Sequence, residues 1–166
     1  MPARLAELER RLRRVEDELE LIHLIAGYGP AVDSGSAEVT AAIWTEDGVY
    51  DVFPRVLHGR AELAAMVTGE MHQRLITGGA AHLQGPPHIV VDGDTATVTH
   101  YSQLVLRDAE TDSFRVWRTG VNVWTFVRTA DGWRATSRVN RQLDGTAEAR
   151  EMLGAAVDPQ RGQLPD

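Results

Sequence analysis

The 166-residue chain is 43% apolar and 25% charged, the balance of one soluble globular domain able to bury a core. Its formal net charge is −7 and it has no long Lys/Arg run, which argues against nucleic acid or an anionic membrane as a partner. It contains no cysteine, so disulfides, zinc–thiolate sites and a cysteine nucleophile are excluded.

The chain opens on a helical pattern. Leu5, Leu8, Leu12, Val15, Leu19 and Ile22 recur at alternating spacings of three and four, one apolar stripe flanked by Glu and Arg. Residues 1–18 are expected to form a leader helix that packs either on the body or on a second chain. The stripe continues through Tyr28, where Gly27, Gly29 and Pro30 predict a kink or break. The charged N-terminal residues, Glu7 to Arg14, do not resemble a signal peptide, and no apolar run is long enough to span a bilayer. The expected location is the cytoplasm.

The core is expected over 19–145. Asp33 to Ser36 read as a turn and cap, Ala37 to Trp44 as a short helix, and Thr45 to Gly48 as a turn before a strand Val49–Phe53. A helix is predicted from Arg60 to about Gln73. His82 to Val91 reads as a strand broken by Gly85-Pro86-Pro87, which cannot sustain a ladder. Asp92-Gly93-Asp94 and Thr129-Ala130-Asp131-Gly132 are hairpin signals between long strands predicted at Thr95–Arg107, Phe114–Arg128 and Trp133–Gln142. Residues 146–166 are expected to hold a terminal helix, Ala147–Leu153, and a loose tail after Pro159.

Helices first and long strands afterwards predict an α+β fold. Strands of this length must coil, so the expected form is a cone-shaped α+β barrel. Its N-terminal helices pack on a curved antiparallel sheet, and the wide end holds a small-molecule cavity.

His82 opens an apolar strand, and an imidazole both takes and gives protons near neutrality. Tyr28 and Asp33 are five apart, about 140° around a regular helix, and Asp33 is placed equally well as a cap. His100 shares its register with Ala96, Val98, Ser102 and Leu104 and is expected to point inward. Arg118, Asn122 and Trp124 alternate on one strand; for Arg118 a sheet-surface position is favoured, because an unpaired guanidinium is costly inside. The four tryptophans are expected in the core or pocket walls. His23, His58, His72 and His88 read as ordinary helix, turn or surface residues. No tight metal-ligand spacing and no nucleotide-binding glycine motif is present.

Taken in order, Tyr28-x4-Asp33, Thr45-Glu46-Asp47-Gly48-Val49-Tyr50, His58-Gly59-Arg60-Ala61-Glu62-Leu63, His82, Val91-Asp92-Gly93-Asp94 and Asp131-Gly132-Trp133-Arg134 resemble the SnoaL-like families of the nuclear transport factor 2-like superfamily. The nearest resemblance is to the branch containing scytalone dehydratase and bacterial bile-acid dehydratases. It implies a cystatin-like fold and an acid–base pair of His82 and Asp33. Tyr28, Tyr50 and His100 would complete the catalytic set. Asn140 is the expected residue on the last strand in preference to Arg138 or Arg141. Asn122, Arg118, Trp124 and Phe53 are the other candidate substrate-binding residues. The implied activity is a cofactor-independent, metal-free dehydratase acting on a hydrophobic polycyclic or steroid-like ketone. The alternatives are a ketosteroid-isomerase-like isomerase or polyketide cyclase with Asp33 as base, and a non-catalytic binding or dimerisation module. A homodimer or homotrimer is expected.

Overall fold

The computed structural model describes residues 2–158; the tail expected after Pro159 lies outside the described residues. Helix α1 runs from Pro2 to Asp33 as one unbroken element, so leader and core helix are continuous and the break expected at Gly27–Pro30 is absent. Packing overrides the local propensity cost of Pro30, because Leu21, Ile25, Tyr28 and Val32 fall on one face and are all buried.

The short helix α2 (Ala37–Ala42) leads into β1 (Trp44–Val52), which absorbs the turn expected at Thr45–Gly48 as an irregularity within the strand. Strand β2 (Arg55–His58), not foreseen, folds back on β1. The single helix expected at 60–73 is two: α3 (Gly59–Thr68) and α4 (Glu70–Gly78), separated at Gly69, whose ψ of 147° is extended. Then come β3 (Ala80–Gln84), β4 (His88–Asp92), β5 (Thr95–Asp108), β6 (Ser113–Thr129), β7 (Gly132–Gln142) and α5 (Ala147–Ala156). These follow the sequence expectation closely, because period-2 alternation between Gly-containing turns is a strong local signal.

The sheet has the order β2-β1-β7-β6-β5-β3, with β4 also paired to β5. Every pairing is antiparallel but one: β1 lies parallel to β7 and makes the sheet mixed. Register shifts fall between Leu104 and Val105 on β5, and between Thr125 and Phe126 on β6. Such shifts increase local twist and re-aim side chains. Helices α1, α3 and α4 cover one face of this sheet, and α5 packs on the other, where its Glu148 accepts from Arg141. Trp44, Trp124, Phe126 and Trp133 fill the closed part of the core with the buried face of α1. Asp17 ties α1 to the far hairpin: Arg128 donates to both its oxygens at 2.5 and 2.8 Å, and the Trp133 indole donates at 3.2 Å.

Candidate active site

Two elements meet to build the site. The C-terminal end of α1 carries Asp33, and β3 carries His82, held in register opposite Leu104 of β5. The ring Nδ1 of His82 lies 2.5 Å from Asp33 Oδ1, and its backbone N–H donates to Oδ2 at 2.8 Å. Asp33 is therefore gripped at both oxygens and fixes the ring as the Nδ1–H tautomer. Among the described residues Nε2 of His82 has no hydrogen-bond partner. The pair is partly buried, with side-chain exposures of 21% and 24%, so His82 can meet a ligand.

His82 forms part of the wall of a cavity of about 780 Å³ between the sheet, the end of α1 and helices α3 and α4. Tyr28, Tyr50, Arg138, Asn140, Arg118 and Phe53 also line it. The 140° between Tyr28 and Asp33 is used: Tyr28 faces the cavity, while Asp33 reaches sideways to β3 and is not itself a wall residue.

The floor is built around Arg138. It is 4% exposed, and its guanidinium carbon stands 4.5, 4.4 and 4.5 Å from the ring centroids of Tyr28, Tyr50 and Trp124. Three aromatic faces thus offset the cost of burying the charge. Arg138 Nε donates to Asn122 Oδ1 at 2.8 Å, Asn140 donates to the same oxygen at 2.8 Å, and Asn122 donates to Ser102 Oγ at 2.7 Å. One donor, Nη1 of Arg138, is buried without a hydrogen-bond partner among the described residues. Burial pushes the Tyr28 hydroxyl up to about 12, and the nearby Arg138 charge offsets part of that rise.

The structure redistributes several expected roles. His100 does not line the cavity: Nδ1 donates to the Tyr101 carbonyl at 2.8 Å, and Nε2 accepts the Trp124 indole N–H at 2.9 Å. Both nitrogens are engaged, and burial pushes its pKa down to about 4, so it is a neutral core residue. Asn122 and Trp124 stand behind the wall, as supports for Arg138. Arg118 faces the cavity, contrary to the surface position favoured for it, and Phe53 is 76% exposed at the rim.

Two residues, Arg138 and His72, stand nearer the site than the sequence alone suggests. Arg138 was ranked below Asn140, yet both point inward. Trp133 and Ala135 face the core on odd positions, and the register shift beside Ala135 moves the inward face to Arg138 and Asn140. His72, one of the histidines that the sequence presents as ordinary helix, turn or surface residues, is buried on the cavity wall, where its Nε2 donates to the Val32 carbonyl at 2.8 Å. Its ring centroid is 5.5 Å from that of His82. The strong amphipathicity of Glu70–Gly78 was the available signal for the inward face of α4. Among the described residues, no group of three or more His, Asp or Glu side chains is placed to hold a metal ion. No helix of the described residues is long and apolar enough to cross a membrane.

Residues 13–139 match a family profile described as the SnoaL-like domain. An NTF2-like protein with a cystatin-like fold from Novosphingobium aromaticivorans is 42% identical, with 93% of this chain and 97% of that one covered and a TM-score of 0.86. Rv3472 of Mycobacterium tuberculosis, described as of unknown function, is 23% identical over 96% of this chain and 97% of its own, with a TM-score of 0.70. ActVI-ORFA of Streptomyces coelicolor is 21% identical over 76% of this chain and 95% of its own, with a TM-score of 0.67. The last two likenesses concern the fold alone. No curated protein matches the sequence.

Proposed function

This chain belongs to the SnoaL-like domain family, whose members are often isomerases, cyclases or dehydratases, and we propose that it is a dehydratase acting on a hydrophobic polycyclic or steroid-like ketone. The observation that carries the proposal is the His82–Asp33 pair on the wall of a cavity of about 780 Å³, a volume that suits a fused-ring molecule.

The chemistry is acid–base and needs only this chain's own groups. Nε2 of His82 removes the proton on the carbon next to the substrate carbonyl. Asp33 stabilises the imidazolium that forms. The carbonyl oxygen gains charge as the enolate develops, and the Tyr28 and Tyr50 hydroxyls stabilise it with the fixed positive charge of Arg138 behind them. The imidazolium then returns its proton to the β-hydroxyl, the C–O bond breaks, water leaves and the enone remains. One base serves both transfers, which makes the elimination syn.

A base role for Asp33 itself is disfavoured, because both its oxygens are engaged by His82 and it does not line the cavity. An open cavity rather than one packed with Trp and Leu favours ligand chemistry over a purely structural role. The test is turnover of fused-ring β-hydroxyketones, followed by enone absorbance, in the native chain and in His82→Ala. The variant is expected to lose about 10²–10⁴-fold in rate while keeping its fold. Full turnover by His82→Ala would contradict the proposal.

A further inference from the structure

The N-terminal half of α1 carries an apolar stripe that, among the described residues, nothing covers. Leu5, Leu8, Leu12, Val15, Leu19 and Ile22 are 38–59% exposed. From residue 3 to residue 16 every position is exposed except Ala6, which is intermediate, so these turns stand clear of the body. A helix of about that length is marginal in water without tertiary support. The spacing of the stripe is a strict heptad alternation, with Leu5, Leu12 and Leu19 at a and Leu8, Val15 and Ile22 at d.

We propose that this stripe is a parallel coiled-coil seam formed with the same helix of further copies of this chain. Orientation follows from the flanking charges. In a parallel pair each g residue faces the e residue five positions on in its partner: Arg4 meets Glu9, Arg11 meets Glu16, and Glu18 meets His23. Every such pair attracts or is neutral. In the antiparallel register that stacks Leu5 on Ile22, Glu9 faces Glu16 twice, a repulsion that offsets the Arg11–Glu18 attractions. Placement of the bodies agrees. At 100° per residue the seam and the core-facing residues Asp17, Leu21, Ile25, Tyr28 and Val32 lie about 150° apart on α1, so each body hangs on the side away from the seam. The seam drifts toward the body by about 20° per heptad and ends at Ile22, its least exposed member at 38%. Leucine at a with Val15 and Ile22 at d is compatible with more than two strands, so the number of chains is read from the measured mass.

The full chain should sediment as a homo-oligomer at tens of micromolar. Leu12→Glu should turn it into a monomer with unchanged near-ultraviolet circular dichroism, since Leu12 is 59% exposed on turns that stand clear of the body. The absence of native cysteine gives a clean orientation test. Leu8→Cys should cross-link on mild oxidation, because parallel packing places this position beside itself, whereas antiparallel packing would cross-link only a Leu8→Cys chain with a Leu19→Cys chain. A charge-reversed Glu9→Arg/Glu16→Arg chain should dissociate, and Arg4→Glu/Arg11→Glu added to it should restore the assembly. A native monomer, an oligomer indifferent to Leu12→Glu, or cross-linking only between positions 8 and 19 would each overturn the proposal.

Discussion

Gly29 on α1 sits so close beneath the backbone of His82 that a Cβ at Gly29 would stand 2.3 Å from the His82 carbonyl oxygen. That approach lets the last turn of α1 reach β3, and it brings Asp33, one turn further on, within 2.5 Å of the His82 ring. The obstacle is backbone rather than a flexible side chain, so a larger residue must displace the helix. Gly29→Ala is expected to destabilise the fold by about 1–3 kcal/mol in urea unfolding. Its rate should fall further than that of a surface substitution of equal stability cost. Unchanged turnover in a destabilised Gly29→Ala chain would mean that the Asp33–His82 distance does not matter.

Arg138 and its three aromatic neighbours form a second testable unit. Lysine keeps the charge but loses the planar stack and the directed bond from Nε to Asn122. Arg138→Lys is expected to fold, to lose near-ultraviolet dichroism from the Trp124 environment, and to reduce turnover about tenfold or more. Arg138→Met should lose the charge-dependent part of catalysis as well, yet cost little stability, since the cost of burying the cation goes with it and Asn122 Oδ1 keeps its bond from Asn140. Equal activity in all three chains would remove Arg138 from the mechanism.

His100 predicts how stability depends on pH. An unfolded histidine titrates near 6.5 and the folded His100 near 4, burial being the main cause. Between those values the unfolded chain binds a proton that the folded chain refuses, so stability is complete above the unfolded value and is lost as the pH falls toward 4. The full effect is on the order of 3 kcal/mol. His100→Gln keeps an acceptor for the Trp124 indole but cannot titrate. Its urea midpoint should therefore change less between pH 7 and pH 5 than that of the native chain, and an identical slope would refute the assignment.

The tie between α1 and the far hairpin is a stability device. Asp17 is 6% exposed and accepts from Arg128 and the Trp133 indole, and the Arg128 guanidinium lies 4.4 Å over the Trp133 ring. The Arg128 bond is the chief reason its carboxyl lies below the usual carboxylate range, so the tie holds above that range and weakens in acid. Asp17→Ala is expected to cost about 2–3 kcal/mol in chemical denaturation, less than a fully buried pair because Arg128 stays partly wet. A cost below about 1 kcal/mol would show that the pairing is incidental.

What could be read from the sequence, and what could not, follows the range of the forces involved. The three long strands and their hairpins are written in local alternation and turn residues, and they stand within a residue or two of expectation. The continuity of α1 through Pro30 was not legible, because its burial against the sheet is a long-range effect. The pairing of Asp33 with His82 joins residues 49 positions apart and entered through family resemblance rather than spacing. Arg138 was hidden by a register shift that no Gly or Pro announces. His100 pointed inward as its alternation implied, but which partners took its nitrogens depended on β6, so core and catalytic roles were indistinguishable until the strands were paired.

The central claim is that His82 abstracts a proton next to a bound carbonyl, and it can be tested without knowing the natural leaving group. Solvent-deuterium exchange at the carbon next to the carbonyl of a fused-ring ketone, followed by proton NMR, reports that step alone. The native chain should accelerate exchange over buffer. His82→Ala should abolish the acceleration, and Asp33→Asn, which leaves the imidazole without its carboxylate, should reduce it strongly. Exchange that persists undiminished in His82→Ala would contradict the account.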